Sequence, residues 1–362
     1  MRNSTNLREE KVPLRFPRLK NGHASGASVK LIRRVIQRIN KEYKGKRKLS
    51  TLGNSVFSTP RQYIPTGVLP LDCVVCFGMG FPPGIIEIFG QEDCGKTAVL
   101  EKTLAESQKR GFYTIIFAQE YSLDYKRVTT LGLDEDQLII GDAETIEDVF
   151  DQIKSIVGKI RNRDKLTPIV IGWDTVAATP TRTELAHKAG LDASDMGHAA
   201  AQISKLFRRM VRFLFENMVC LICVNQTRTN LAVKWGSKES TFGGKALKFY
   251  AWVRLRVRKT KTIKNSEDED IGFQCIVHVY KNKVAPPHRE CMLSVFYSRG
   301  IDSVRSVWDY GIDRGIFRRN GTAYKFGKYS ITKKTFAKFY VRKQIKIDRL
   351  LRQSTVIKEE QE

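Results

Sequence analysis

No apolar run in this 362-residue sequence is long enough to cross a bilayer. The opening stretch, MRNSTNLREEKVPLRFPRLK, has no hydrophobic signal core, and Glu9 and Glu10 argue against an organelle transit peptide. These absences predict a soluble, cytoplasmic chain with no membrane partner. Cysteine is scarce: seven residues, an odd number scattered along the chain, which speaks against a disulfide framework and suits a reducing compartment. Two Cys-x-x-Cys pairs, Cys73/Cys76 and Cys220/Cys223, imitate zinc half-sites. Cys220 and Cys223 fall in VCLICVNQ, an expected buried strand, where an offset of three points them to opposite faces. Cys73 and Cys76 fall in an apolar helical stretch and read as small packing residues. Acid is also in short supply. Only 38 Asp and Glu stand against 63 Lys and Arg, a net charge of +25. An excess that large predicts a polyanionic partner, nucleic acid above all.

What the sequence does have is order along its length. Residues 1–26 are polar and basic and read as a flexible tail. Residues 27–43, SVKLIRRVIQRINKEYK, place Val29, Leu31, Ile32, Val35, Ile36 and Ile39 at helical spacing against a cationic face. That helix predicts a small N-terminal docking module over 27–64. From about residue 65, strands and helices alternate: GIIEIFG (84–90), a helix over 95–111, YTIIFAQE (113–120), a helix over 145–162, TPIVIGWD (167–174) and NMVCLICVNQ (217–226). Such alternation predicts an α/β core, a mostly parallel sheet covered by helices, with ligands beyond the carboxyl ends of its strands. Three strand-rich segments, 251–263, 273–283 and 291–298, are expected to add antiparallel edge strands, with NSEDEDIG a turn between the first two. The core then spans 65–299, and a small basic C-terminal α+β domain with a KEEQE tail fills 300–362.

The first stretch with explicit chemistry is Gly90-Gln91-Glu92-Asp93-Cys94-Gly95-Lys96-Thr97. It follows a strand and opens a helix, the context a phosphate-binding loop requires. Glycines let backbone N–H groups close around phosphate oxygens at a helix N-terminus. Lys96 is expected to reach the outer phosphates, and Thr97 to offer its hydroxyl to magnesium. Asp174, ending IVIGWD, is placed to hold the same metal. Glu120, ending YTIIFAQE, is placed to polarise an attacking water. Gln226, ending CVNQ, can sense the terminal phosphate and pass its presence into the segment that follows. That segment, TRTNLAVKWGSKESTFGGKALKFY (227–250), mixes cations, glycines and isolated apolar residues without helix or strand period. Long aperiodic loops are unusual unless functional, and this mixture suits single-stranded DNA.

Taken together, these stretches resemble a RecA-type homologous recombinase. The resemblance runs from about residue 27 to 350 and rests on TGVLPLD (66–72), the phosphate loop, FAQEYSLD (117–124), WDTVAATP (173–180), DMGHAA (195–200), NQTR (225–228), TFGGKALKFYAWVRL (241–255) and YKNKVAPP (280–287). It implies a RecA-like P-loop ATPase core that uses ATP and Mg2+ and forms homo-oligomeric helical filaments on single-stranded DNA. Duplex DNA, loader proteins and a single-strand binding protein are implied partners. Glu120 matches the family's catalytic glutamate and Gln226 its γ-phosphate sensor. Lys281 and Lys283 match lysines that reach a neighbour's ATP, where cations supplied in trans make hydrolysis depend on assembly. Phe249 matches a residue packed on the adjacent protomer, with Lys248 beside it. Asp124 and Arg127 fall at nucleotide-contacting positions. Residues 185–198 match the first DNA loop and 227–243 the second. Met196 and Leu231 match apolar residues that separate base triplets. Ser204, Arg208, Gly243 and Gly244 match backbone contacts; Arg228, Asn230, Ala232, Trp235, Ser240 and Lys245 complete the implied DNA surface.

Departures from the family pattern carry expectations of their own. The adenine-stacking tyrosine falls at Arg127, with Tyr125 close by, and a first-loop arginine falls at Ala201. Lys245 replaces a smaller polar residue, an added phosphate contact. Cys94 within the phosphate loop predicts sensitivity to thiol reagents. The net charge and the short KEEQE tail predict tighter, less restrained duplex capture. Two other readings of the same core stay open: a ring-forming helicase motor, and a DNA-coating scaffold that hydrolyses weakly. GGKALKFYA and the N-terminal helix favour the filament over the ring; the Glu120, Lys281 and Lys283 set argues against the scaffold.

Overall fold

Strand β5 (Val219–Thr229) shows how this sequence builds two cores from one run of apolar residues. Cys220, Ile222 and Val224 point into one hydrophobic cluster, Val219, Leu221 and Cys223 into another, and all six are fully buried. The period-two alternation of a strand therefore feeds both faces of a sheet covered on both sides. The two cysteines three apart do lie on opposite faces. In this computed structural model the described residues are 26–42, 49, 62–120, 125–186, 193–229, 239–242 and 246–357, with backbone alone at 26–29, 125–127, 193–200, 228–229, 239–240 and 356–357.

The sheet is centred on β1 (Gly84–Gly90), which pairs in parallel with β5 on one side and β7 (Val253–Lys264) on the other. Beyond β5 come β4 (Ile169–Asp174), β2 (Tyr113–Ala118) and β3 (Leu138–Gly141), all parallel. Beyond β7 come β8 (Asp270–Asn282), β9 (Glu290–Phe296) and β10 (Gly300–Ile301), antiparallel in sequence order. The α/β reading holds, with one correction. Residues 251–263 do not begin an antiparallel addition: β7 runs parallel to β1. The short helix before it, Ala246–Tyr250, returns the chain to the same end of the sheet, so the direction reverses only at the NSEDEDIG turn.

Helices α2 (Leu69–Cys76) and α3 (Lys96–Lys109) pack on one face. Helices α5 (Ile146–Arg163) and α7 (Ala193–Glu216) pack on the other, where Phe150, Trp173 and Phe207 meet in one aromatic cluster. Two shorter helices, α4 (Tyr125–Thr130) and α6 (Arg182–Ala186), lie between them in sequence, and Ala246–Tyr250 is α8. The C-terminal residues form α9 (Ser303–Asp313), a three-stranded antiparallel sheet of β11 (Arg318–Asn320), β12 (Ala323–Phe326) and β13 (Tyr329–Ile331), and α10 (Lys333–Ile357). α10 joins the first core through Phe336, Tyr340, Ile347 and Leu351. Among the described residues no helix is long and apolar enough to cross a membrane.

Two compact units divide the chain, Met1–Pro60 and Arg61–Glu362. The first contains α1 (Gly26–Glu42), the helix expected from the spacing at 27–43, and leaves Leu31, Ile32 and Val35 exposed. Asn40 near its end brackets Leu49, donating to its carbonyl at 2.8 Å and accepting from its N–H at 2.6 Å.

Candidate functional site

The phosphate loop joins β1 to α3, and its shape explains its glycines. Gly95 sits at φ +100°, a conformation that side chains resist, and a Cβ at Gly90 would run into the carbonyl oxygen of Val257. Lys96, buried, folds its ammonium back onto the Gln91 carbonyl and lies 3.9 Å from the Cys94 sulfur. Thr97 opens α3 and donates its hydroxyl to Asp174 Oδ2 at 2.7 Å. Parallel pairing of β2 with β4 ends at Ala118 opposite Asp174, so the turn after β2 sets Glu120 beside the same site. There Glu120 Oε1 accepts from Gln226 Nε2 at 3.2 Å and from Thr175 Oγ1 at 3.1 Å. Glu120 just beyond β2, Asp174 at the end of β4 and Gln226 where the pairing of β5 with β1 ends thus converge on one cleft of about 630 Å³.

Burial pushes Asp174 up to about 6, and the negative charge of Glu120 adds to that shift although the Thr97 hydrogen bond opposes it. Its second oxygen, Oδ1, is buried without a hydrogen-bond partner. A buried carboxylate with one orphaned oxygen beside a threonine hydroxyl is an all-oxygen donor pair, the type a hard divalent cation such as magnesium prefers. Thr97 and Asp174 therefore fit the metal that the motif implies.

The cleft also has walls that the motifs did not reveal. Lys259, Phe273, Phe296 and Tyr297 also line it, Phe273 against Gly95 of the phosphate loop. Lys259 sits 4.9 Å over the Phe273 ring, and Phe273 lies 6.1 Å from Tyr297. Tyr297 is more than half exposed. These residues lie on or just beyond β7, β8 and β9, brought to the loop only by sheet pairing; the sole sequence signal was an aromatic pair ending an apolar strand. Cys94 corrects an expectation. Its side chain is buried, and burial raises its thiol pKa, so the thiolate that reagents attack is suppressed.

Residues 30–302 match the family model described as the RecA N-terminal domain. The chain belongs to the RecA family. It is 35% identical over 298 residues to Protein RecA of Saccharopolyspora erythraea, covering 82% of this chain and 83% of that one. Protein RecA of Frankia casuarinae is 37% identical over the same shares, and that of Treponema denticola 34% identical over 80% of this chain and 68% of its own.

Outside the cleft, the RecA-family positions are distributed as follows. Lys281 and Lys283 are not among the residues lining their own chain's cleft. Lys281 instead donates to the carbonyls of Lys248 and Phe249 at 2.7 and 2.9 Å, capping the end of α8. Burial and then the charges of Lys283 and Arg254 lower its pKa to about 8. The Phe249 side chain is exposed. Ser204 and Arg208 lie one turn apart on α7, half-buried and exposed, and Met196 falls on the backbone of the same helix. Arg228 and Ser240 are paired residues of an antiparallel ribbon, β5 with β6 (Glu239–Thr241). This corrects the aperiodic reading of 227–250: its flanks, TRT and EST, are strands too polar and short to show a hydrophobic period, and its last residues form α8. Arg127 lies on the backbone of α4. Asp124, Asn230, Leu231, Ala232, Trp235, Gly243, Gly244 and Lys245 lie outside the described residues.

Proposed function

We propose that this chain is a DNA-dependent ATPase that assembles as a helical filament on single-stranded DNA and carries out homologous pairing and strand exchange in recombination and repair. The observation that carries the reading is the placement of Gln226. Its side chain bonds to Glu120 at the cleft, and its strand β5 runs straight into the ribbon that flanks the second DNA segment. One strand thus runs from the cleft to the proposed DNA segment, as an ATPase driven by DNA requires.

In this reading ATP lies with its phosphates over Gly90–Thr97, Lys96 turning from the Gln91 carbonyl to the outer phosphates. Thr97 and Asp174 would hold magnesium, which when bound would neutralise developing phosphate charge. Glu120 takes the proton of the attacking water while Gln226 and Thr175 hold its carboxylate in place. Tyr297, exposed at the cleft wall, offers a ring on which adenine can stack; Arg127, at the position of the family's stacking residue, is the other candidate. Lys281 and Lys283, away from their own cleft, act on the nucleotide of an adjoining copy. Two surfaces suit assembly: the exposed apolar residues of α1, and β3, an edge strand among the described residues, with Ile139 and Ile140 exposed on it. The DNA surface comprises Met196, Ser204 and Arg208 on α7, Arg228 and Ser240 on the ribbon, and Asn230, Leu231, Ala232, Trp235, Gly243, Gly244 and Lys245.

ATP turnover measured with and without single-stranded DNA, across protein concentration, tests the reading. Strong stimulation by DNA with a cooperative concentration dependence is expected. A rate indifferent to both would mean a self-contained ATPase. Electron microscopy of the DNA-bound protein separates open filaments from the closed rings of a helicase motor.

A further inference from the structure

NQTR contains a residue that the ATPase reading leaves without a task. Asn225 precedes the sensor Gln226 on β5 and is fully buried. Every polar atom of its side chain is engaged. Oδ1 accepts from the Gln226 N–H at 3.0 Å. Nδ2 donates to Glu87 Oε1 at 3.1 Å and to the Phe242 carbonyl at 3.1 Å. Phe242 follows β6 at once, where the chain returns from the second DNA segment. One amide thus ties the sensor's backbone to the foot of that segment, across 17 residues of sequence.

The amide is itself held. Glu87, on β1 and fully buried, forms an ion pair with Arg254 on β7, which is also buried. The Arg254 guanidinium lies 4.5 Å over the Phe89 ring and 5.3 Å over the Tyr280 ring. A buried ion pair is weak evidence for stability and better evidence for a fixed geometry, because its partners tolerate no other arrangement. Here its free acceptor, Glu87 Oε1, is spent on orienting the Asn225 amide. Tyr280 precedes Lys281, so the same network abuts the strand that carries the trans lysines.

We propose that Asn225 is the positioning residue that couples nucleotide to DNA. By bonding to Gln226 N–H and Phe242 O together, it makes the sensor and the foot of the DNA segment shift as one body, with Glu87 and Arg254 setting the amide's orientation. This inference rests on the proposed function, since it presumes that the cleft takes ATP and that the 227–243 segment takes DNA. It assigns Asn225 no contact with either ligand.

The test is the factor by which a non-hydrolysable ATP analogue raises affinity for single-stranded DNA, measured by fluorescence anisotropy. Linkage makes that factor reciprocal, so the same factor is read as DNA raising analogue affinity. In Asn225→Ala the factor should fall at least tenfold, while analogue affinity without DNA changes less than threefold. A folded Asn225→Ala protein that keeps the wild-type factor overturns the inference and leaves the proposed function standing. A wild-type factor of one defeats the proposed function and the inference with it. A second measurement needs no variant. Hydrogen exchange of the wild-type protein with analogue alone should slow peptides containing Gln226 and Phe242 together. Protection at Gln226 with none at Phe242 overturns the inference even if Asn225→Ala fails to fold.

Discussion

Glu120 stands on a turn, and its position rests on two side-chain donors, Gln226 and Thr175. Replacing it with Gln keeps the shape and removes the base. Glu120→Gln is expected to cut turnover by about 10²-fold or more while leaving nucleotide binding within a few-fold, checked by steady-state ATPase and equilibrium binding. The chemistry of this residue was legible from its place after an apolar strand. Its partners were not: Thr175 carried no assigned role, and Gln226 is 106 residues away in sequence. The same contrast holds for Cys94. Its place in the phosphate loop suggested a reactive thiol, because helix N-termini and a nearby lysine favour thiolates. Burial decides otherwise: Cys94 belongs to a core cluster that also takes in Phe273 and Val295 from strands far along the sequence.

At the level of elements, the joints between helices and strands depend on side chains that cap backbone. Arg161, in the last turn of α5, is buried and has no carboxylate in hydrogen-bond contact among the described residues. Its guanidinium donates to the carbonyls of Asp164, Thr167 and Asn217 at 2.7–3.1 Å. It thereby staples the approach to β4 to the approach to β5, the two strands that deliver Asp174 and Gln226. Arg161→Leu fills much of the space yet strands three carbonyls, so a loss of about 2–4 kcal/mol is expected, read from urea denaturation; Arg161→Lys should lose less. Helix and strand existence was readable here from periodicity. The ribbon of β5 and β6 was not, because TRT and EST pair through backbone groups that leave no hydrophobic pattern. The direction of β7 was hidden for a related reason: an amphipathic strand reads alike in either direction, and only its neighbour β1 fixes it.

For the molecule as a whole, stability carries a pH signature from Asp72. This carboxyl is buried in α2, where Oδ1 accepts from Thr66 N and Oγ1 at 2.9 and 2.7 Å. Burial raises its pKa from 3.8 to about 7, against the two Thr66 bonds and the charge of Arg352 on α10. The folded protein therefore holds a proton that the unfolded chain releases first. That contribution is fully present below pH 3.8, declines above it, and is lost as pH rises through about 7. Asp72→Asn keeps the acceptor and cannot ionise. Its stability relative to the wild type should grow by on the order of 2–4 kcal/mol between pH 4 and pH 8, measured by chemical denaturation at each pH. A constant difference across that range would mean that Asp72 is ionised in the fold.

The sequence by itself determined the class of the protein. The phosphate loop, the alternating strands and helices, the acids and amides at strand ends and the surplus of +25 are all local or additive properties. So are NQTR and GGKALKFYA, by which the chain resembles its family. Tertiary structure alone decided what these residues face. It set Thr97 on Asp174, Gln226 on Glu120, Tyr297 at the cleft wall and Lys281 on the end of α8. It also joined Asn225 to Glu87, 138 residues away, and to Phe242. The physical reason is common to all of them. Which strand lies beside which depends on pairing across the whole sheet, and burial depends on what then covers it. Neither can be summed from the residues nearby.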